Sequence, residues 1–334
     1  MKQFFTTALV FLASFVLLSG CAQKIPIESL PPGFDVKPVG RVSAGSPLAW
    51  HPDGFRYAVV SGGLQVRQLD GGKFNVDSDL PSAISWSPTG SLLAASFAER
   101  YVSQVRIYDS DGAILADMDV TGSVRDLVWS SDDELLMAAV VVKQFSFGAN
   151  YTVNLHRWRQ NEELTQQVIA DTSPLKSNLD AMGDAIFDPV RLQISPYRDE
   201  ILFSRLVMPP NVGLHYQLVV RHLGSGKERV IAKLPFGSDG GRYPLQEDKL
   251  FYSDGQYQSI LRSIWGTEAY ETFPPGQSLE VSPGGRYKLI DRNLLRDRDV
   301  LIEFRDVGQA AFSPDGARLL LTSGRSLYLL TNLD

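Results

Sequence analysis

An internal repeat constrains this chain more than any other feature, because a recurring unit decides the architecture before any local reading of helix or strand. Copies stand at Leu48-Ala49-Trp50-His51-Pro52-Asp53-Gly54, Ile84-Ser85-Trp86-Ser87-Pro88-Thr89-Gly90, Leu127-Val128-Trp129-Ser130-Ser131-Asp132-Asp133 and Leu192-Gln193-Ile194-Ser195-Pro196-Tyr197-Arg198. Two more lie near the end, at Leu279-Glu280-Val281-Ser282-Pro283-Gly284-Gly285 and Ala311-Phe312-Ser313-Pro314-Asp315-Gly316. Each copy but the fifth leads into a clear apolar run, such as Tyr57-Ala58-Val59-Val60, Leu135-Leu136-Met137-Ala138 or Leu319-Leu320-Leu321. Proline presets a turn, glycine or aspartate tolerates the conformation that closes it, and the apolar runs on either side read as strands buried on both faces.

A third strand follows in most units, as in Leu64-Gln65-Val66-Arg67 or Val105-Arg106-Ile107-Tyr108, and a turn such as Asp109-Ser110-Asp111-Gly112 leads to a fourth. Four antiparallel strands in roughly 40 to 45 residues is the arithmetic of a β-propeller blade. Aligned positions from Trp50 through Trp86, Trp129, Ile194, Val281 and Phe312 are separated by 36, 43, 65, 87 and 31 residues. The longest gap spans two repeats and accommodates a degenerate copy at Tyr243-Pro244-Leu245-Gln246-Glu247-Asp248. The expected fold is all-β: a single β-propeller of seven four-stranded blades, or six if the short stretch between Val281 and Val307 is not a blade of its own. The last unit ends after its third strand, whereas Phe34 to Val42 precede the first hairpin without a repeat of their own. That N-terminal segment is expected to supply the missing outer strand as a clasp, since an open end blade would leave an unpaired edge.

The Ser-Pro-Asp-Gly hairpins with a preceding aromatic resemble the WD40-like repeats of TolB-type periplasmic propellers, over most of residues 39–334. The resemblance implies architecture and little about function, because propellers host scaffolds and enzymes alike. The chain departs from TolB itself, with no α/β domain ahead of the repeats, so the partners of TolB are not implied.

Ahead of the repeats, Met1-Lys2-Gln3 is followed by an uncharged apolar stretch from Phe4 to Gly20, shorter than the ~20 apolar residues a spanning helix needs. It reads as a secretory leader. Its end, Leu18-Ser19-Gly20-Cys21, resembles the lipobox of bacterial lipoproteins, in which the cysteine is diacylated and becomes the new N-terminus. Cys21 is the only cysteine of the chain and has no partner for an internal disulfide. The expected organisation is a lipoprotein signal peptide over 1–20, a lipidated, proline-rich tether over 21–38 and a propeller over 39–334. Two or three acyl chains suffice for stable anchoring. By the same resemblance, Ala22 after the cysteine, where aspartate signals inner-membrane retention, points to the outer membrane facing the periplasm. The formal charge of −6 is spread without a block of one sign, which does not read as a nucleic-acid-binding protein.

In such blades the connections after strands two and four share one rim, and in this sequence they are the long ones: 98–104, 143–151, 171–191, 207–216 and 235–244. They carry Arg100, Tyr101, Phe145, Phe147, Met208, His215, Tyr216, Phe236 and Arg242, residue types enriched in binding hot spots. This rim is the expected site for a protein partner of the envelope. Signals for chemistry are few. His51 takes the serine place of a repeat, His156 and His222 read as blade surface, and no histidine pair has a metal-ligand spacing. The innermost strands offer Trp50, Ser85, Trp86, Gln193, Ser195, Glu280 and Ser282, of which only Glu280 ionises. Hence no catalytic residue, metal or cofactor is expected, and a non-catalytic interaction scaffold is the first reading. A propeller enzyme or ligand sensor acting on envelope sugars or peptides at the central channel is the alternative.

Overall fold

A computed structural model of the chain describes residues 27, 30–98, 101–145, 148–171, 192–195, 199–207, 215–235, 245–246, 249–253, 259–263, 269–273 and 279–333. Its strands begin with β1 (Asp35–Arg41). Blade one then comprises β2 (Leu48–Trp50), β3 (Arg56–Val60), β4 (Leu64–Gln68) and β5 (Lys73–Asp77), and blade two β6 (Ala83–Trp86), β7 (Leu92–Ala98), β8 (Val102–Asp109) and β9 (Ile114–Thr121). Blade three is formed by β10 (Ser123–Ser131), β11 (Glu134–Phe145), β12 (Gly148–Arg159) and β13 (Thr165–Asp171). Blade four has β14 (Gln193–Ile194), β15 (Glu200–Val207), β16 (His215–His222) and β17 (Glu228–Pro235). Blade five runs through β18 (Leu245–Gln246), β19 (Lys249–Ser253), β20 (Ser259–Ser263) and β21 (Ala269–Phe273), and blade six through β22 (Leu279–Val281), β23 (Tyr287–Ile290), β24 (Asn293–Arg296) and β25 (Asp299–Glu303). Blade seven takes β26 (Ala310–Phe312), β27 (Arg318–Ser323) and β28 (Ser326–Thr331) from the C-terminus and β1 from the N-terminus. Every neighbouring pair within a blade is antiparallel, so the described strands make seven four-stranded sheets of one propeller.

The repeat motif builds its hairpin through the serine as much as through the glycine. Ser87, Ser195, Ser282 and Ser313 are buried, and each hydroxyl oxygen accepts a hydrogen bond from the backbone N–H five residues on, at 2.9 to 3.2 Å. The motif glycine N–H returns to the carbonyl of the same serine, as from Gly90 to Ser87 at 2.9 Å and from Gly316 to Ser313 at 2.8 Å. Both glycines sit at positive φ, 76° and 74°, where a side chain would be strained. A short polar side chain that satisfies a buried turn N–H, and a residue free of Cβ to close it, explain why the motif keeps these types.

The core lies between blades. In β3, Tyr57 and Val59 pack toward blade seven, whereas Ala58 packs toward blade two. In β11, Leu135, Met137 and Ala139 face blade two and Leu136, Ala138 and Val140 face blade four. A strand buried on both faces needs apolar residues at every position, which is the run seen after each hairpin. Ring closure follows the same logic: Val42, Trp50, Tyr57 and Val59 pack against Leu320, Leu327 and Leu329, and the Trp50 indole donates to the Ala311 carbonyl at 2.9 Å. The equivalent Trp129 donates to Ser85, one blade back, at 3.0 Å.

The N-terminal clasp is present. β1 pairs with β28 from Asp35 opposite Thr331 to Arg41 opposite Ser326, with a bulge between Pro38 and Gly40. Buried Val36 joins the layer between blades six and seven. The strand fills the stretch expected for the clasp, 34–42, and so overlaps the end of the tether drawn to residue 38; further upstream Ile27 is buried and bridges to Phe304. Backbone pairing and apolar contact hold these residues where proline content alone read as a free linker. The leader and Cys21 lie outside the described residues.

Candidate functional site

Alternation of strand direction places the turns after strands one and three on one rim, called here the turn rim. The connections after strands two and four fall on the other, the loop rim. Among the proposed rim residues, Tyr101 is 60% exposed just ahead of β8 and Val102 beside it is 41% exposed. On the same rim Leu80, in the connection from blade one to blade two, is 61% exposed. Leu80 and Val102 were not singled out from sequence. The signal at Leu80 was legible, a large aliphatic side chain within the polar run Ser78-Asp79-Leu80-Pro81-Ser82.

Two candidates are corrected. Tyr216 is 1% exposed and His215 is 9% exposed. Both belong to β16, where Tyr216 stands opposite Leu206 and Leu234 and packs in the buried cluster that holds Leu206, Leu218 and Val220. They are core and strand-end residues, not a contact surface. Phe145 closes β11 opposite Gly148. Arg100, Phe147, Met208, Phe236 and Arg242 lie outside the described residues.

The expected loop at 143–151 is instead a strand pair. β11 and β12 stay in register out to Phe145 opposite Gly148, while the inner strand β10 stops at Ser123 opposite Val140 and the outer strand β13 at Asp171 opposite Thr152. From Val142 to Phe145 the hairpin therefore runs past the described parts of both neighbours, by roughly 14 Å at ~3.4 Å per residue. The β-branched run Val140-Val141-Val142 favours continued pairing over a loop. The result is a two-stranded arm projecting from the loop rim of blade three.

A cavity of about 290 Å³ opens at the centre of the ring, lined by the first residues of the inner strands, hence on the loop-rim side. Its polar lining comes from Ser82, Arg125, Asp126, Gln193, Glu280 and Gln309. Arg125 and Asp126 were missed because the repeat was read as starting at Leu127. Asp126 is committed to the scaffold: its carboxylate accepts from the Leu127 N–H at 2.9 Å and, across to the next blade, from the Leu192 N–H at 2.8 Å.

Ionic contacts stiffen the wall between blades one and two. Arg106, on β8, reaches Asp77 at 2.7 Å and Asp79 at 2.9 Å, and the Tyr108 hydroxyl donates to Asp77. Burial works to raise the Asp77 pKa, but hydrogen bonds from the Asp79 N–H, Tyr108 and Arg106 outweigh it and hold the carboxyl below its ordinary value. Burial and the neighbouring carboxylate push the Tyr108 phenol upward. On the turn rim His51 is 3% exposed, and its Nε2 lies 3.0 Å from the Gly90 carbonyl of the next blade, so the histidine in a serine place is an interblade link. His156 is 2% exposed, and burial lowers its pKa, with the Thr121 backbone opposing. It is a neutral core residue and not blade surface, because both faces of β12 are covered.

No protein-family model matches the sequence, and no curated protein matches it. Solved structures do. The β-propeller domain of Myceliophteria thermophila Cps50 (Swd1) is 13% identical, with a TM-score of 0.58 over 89% of this chain and 98% of that one. A chain of the mitotic checkpoint complex is 16% identical, with a TM-score of 0.60 over 92% and 93%. At these identities the likeness is one of fold: this chain is a β-propeller.

Proposed function

We propose that this protein is an exported bacterial lipoprotein, anchored through acyl chains on Cys21, whose propeller is a non-catalytic scaffold that docks a protein of the cell envelope on its loop rim. The observation that carries the reading is the β11–β12 arm beside the cavity mouth, since exposed apolar side chains alone also occur at the turn-rim end, at Phe55, Ile114 and Leu115. The loop rim presents exposed Leu80, Tyr101 and Val102, the projecting β11–β12 arm and the mouth of the central cavity. Exposed apolar and aromatic side chains on a rigid frame, with an arm that extends the contact, suit a protein surface. Structural neighbours of the same fold include a component of a multiprotein complex, which agrees with protein partners. The tether confines that partner to the space near the membrane and raises its effective concentration.

The test is an in-cell crosslinking pull-down in which wild type is compared with Cys21→Ser and with a rim variant, Leu80→Ser with Tyr101→Ala. Cys21→Ser is expected to leave the membrane fraction, and the rim variant is expected to stay membrane-bound and folded while losing a specific envelope protein. A rim variant that captures the same proteins as wild type refutes the docking face. Cys21→Ser remaining in the membrane fraction refutes the anchor. Arg125 and Glu280 at the channel mouth favour one second reading, a sensor or enzyme for a small polar ligand of the envelope. That reading requires loss of ligand binding or turnover on Glu280→Gln with the partner retained.

A further inference from the structure

A second cavity, of about 580 Å³, lies between the clasp strand and blade one, reaching from Arg41 and Ser61 at the loop-rim end to the turn from β4 to β5. Its walls are residues 37–41 of β1 and the turn from β4 to β5, and Arg67 and Tyr57 are among the residues that line it. Arg67 is 8% exposed and has no acidic partner among the described residues. Its Nε and Nη2 donate to the Gln65 side-chain oxygen at 3.2 and 2.9 Å, and Nη2 also donates to the Arg41 carbonyl at 2.9 Å. These bonds fix the guanidinium plane and leave Nη1 without a hydrogen bond among the described residues.

The clasp is shaped around this group. β1 carries its bulge between Pro38 and Gly40, and Gly40 has φ +139°. A Cβ at residue 40 would stand 2.7 Å from Arg67 Nη1, so the glycine makes room for the guanidinium beneath the strand. Three more cations border the groove, Lys37, Arg41 and Lys73, all exposed and none in an ion pair among the described residues. Asp70 is the one acid of the lining, and its carboxylate accepts the Gly72 N–H. Four positive groups against one negative group stand out in a chain whose formal charge is −6.

We infer that the clasp groove is a binding site for a phosphoryl group, held by Arg67 Nη1 at its base and by Lys37, Arg41 and Lys73 at its mouth. A buried guanidinium with its plane fixed and one nitrogen open is pre-organised for an oxyanion, and several cations around it favour a dianion over a single carboxylate. The ligand is a free phosphate ester or a phosphorylated lipid headgroup near the anchored protein. Binding would also bridge β1 to blade one and so strengthen ring closure.

The experiment is calorimetric titration of the full chain, in uncharged detergent, with inorganic pyrophosphate and in parallel with acetate. Saturable pyrophosphate binding is expected, weakened about tenfold or more by Arg67→Gln, as for the loss of one charge-assisted hydrogen bond. Because Arg67 also holds the Arg41 carbonyl, exposed Lys73→Gln is the second variant, and a several-fold weakening is expected with stability unchanged. Co-sedimentation with phosphatidylcholine vesicles containing phosphatidic acid, with pyrophosphate as competitor, separates a lipid headgroup from a free ester. Absence of saturable binding, equal binding of acetate, affinity unchanged in both variants, or a gain in vesicle binding on adding phosphatidic acid that pyrophosphate does not compete overturns the assignment. None of these outcomes bears on docking at the loop rim.

Discussion

Replacing Val36 by aspartate places a carboxyl on the buried face of the clasp, while Lys37→Asp places the same group one residue on, on the exposed face. Val36 is 6% exposed, stands opposite Leu330 and packs in the layer that holds Phe304 and Leu321. Losing its burial costs about 1.5–3 kcal/mol. A carboxyl in that layer has its pKa raised, and each unit above the unfolded ~3.9 costs about 1.4 kcal/mol at neutral pH, so a rise of two units adds roughly 3 kcal/mol. The total, about 4–6 kcal/mol, is comparable with the whole stability of many domains, ~5–15 kcal/mol. The expected result at pH 7 is a large fall in the denaturation midpoint, or release of β1 seen as new proteolysis near residues 35–41 with the other blades intact. Since the folded state holds the introduced carboxyl's proton to a higher pH than the unfolded chain does, the penalty grows as pH rises from about 4 to the raised folded value, is constant above it and is relieved below about 4. Lys37→Asp is expected to change stability by less than ~1 kcal/mol. Equal midpoints for the two variants would refute the register and the idea that the N-terminal strand closes the ring.

Two further perturbations address the joints between blades. Asp77→Asn removes a charged acceptor shared by Arg106 and Tyr108 and is expected to destabilise by about 2–3 kcal/mol at neutral pH. The folded pKa of Asp77 is depressed, so its contribution is present above the unfolded value of about 4 and is lost as pH falls through the folded one; denaturant titrations between pH 2 and 5 should show a flatter acid limb in the variant, and identical acid limbs contradict the network. Gly90→Ala places a Cβ within 2.1 Å of the His51 ring at a positive φ. His51→Ser, which restores the repeat residue, should recover at least ~1 kcal/mol of that loss in a double-mutant cycle, and strict additivity contradicts the interblade link.

Most of the architecture was legible because its determinants are local. Where the motif is complete, the serine hydroxyl and the motif glycine build the hairpin within six residues, so Ser87 to Leu92 or Ser313 to Arg318 announces a blade. Blade five lacks the serine and glycine, and only the spacing of its neighbours and the run Lys249-Leu250-Phe251-Tyr252-Ser253 revealed it. The clasp was legible from a count of strands, and the stretch expected for it, Phe34 to Val42, brackets the strand Asp35–Arg41, although its partner lies nearly three hundred residues away. The arm of blade three was misread as a loop: from Val142 on, no described residue of either neighbouring strand pairs with it, so the pairing there left no alternation for a sequence reading to detect. His156 and Tyr216 were misplaced for the converse reason. On third strands covered by blades on both sides, every position is interior, and a polar or aromatic residue beside charged neighbours gives no sign of it. The cations of the clasp groove are scattered from Lys37 to Lys73 and come together only through the pairing of β1.

The most direct test of the account is site-specific photo-crosslinking in living cells from position 101 on the loop rim and from position 111, exposed on the turn rim between β8 and β9. The account requires a discrete crosslinked envelope protein from position 101, dependent on Cys21, and none from position 111. The same adduct from position 111, or no protein adduct from position 101 while the protein remains membrane-bound, would contradict docking on the loop rim.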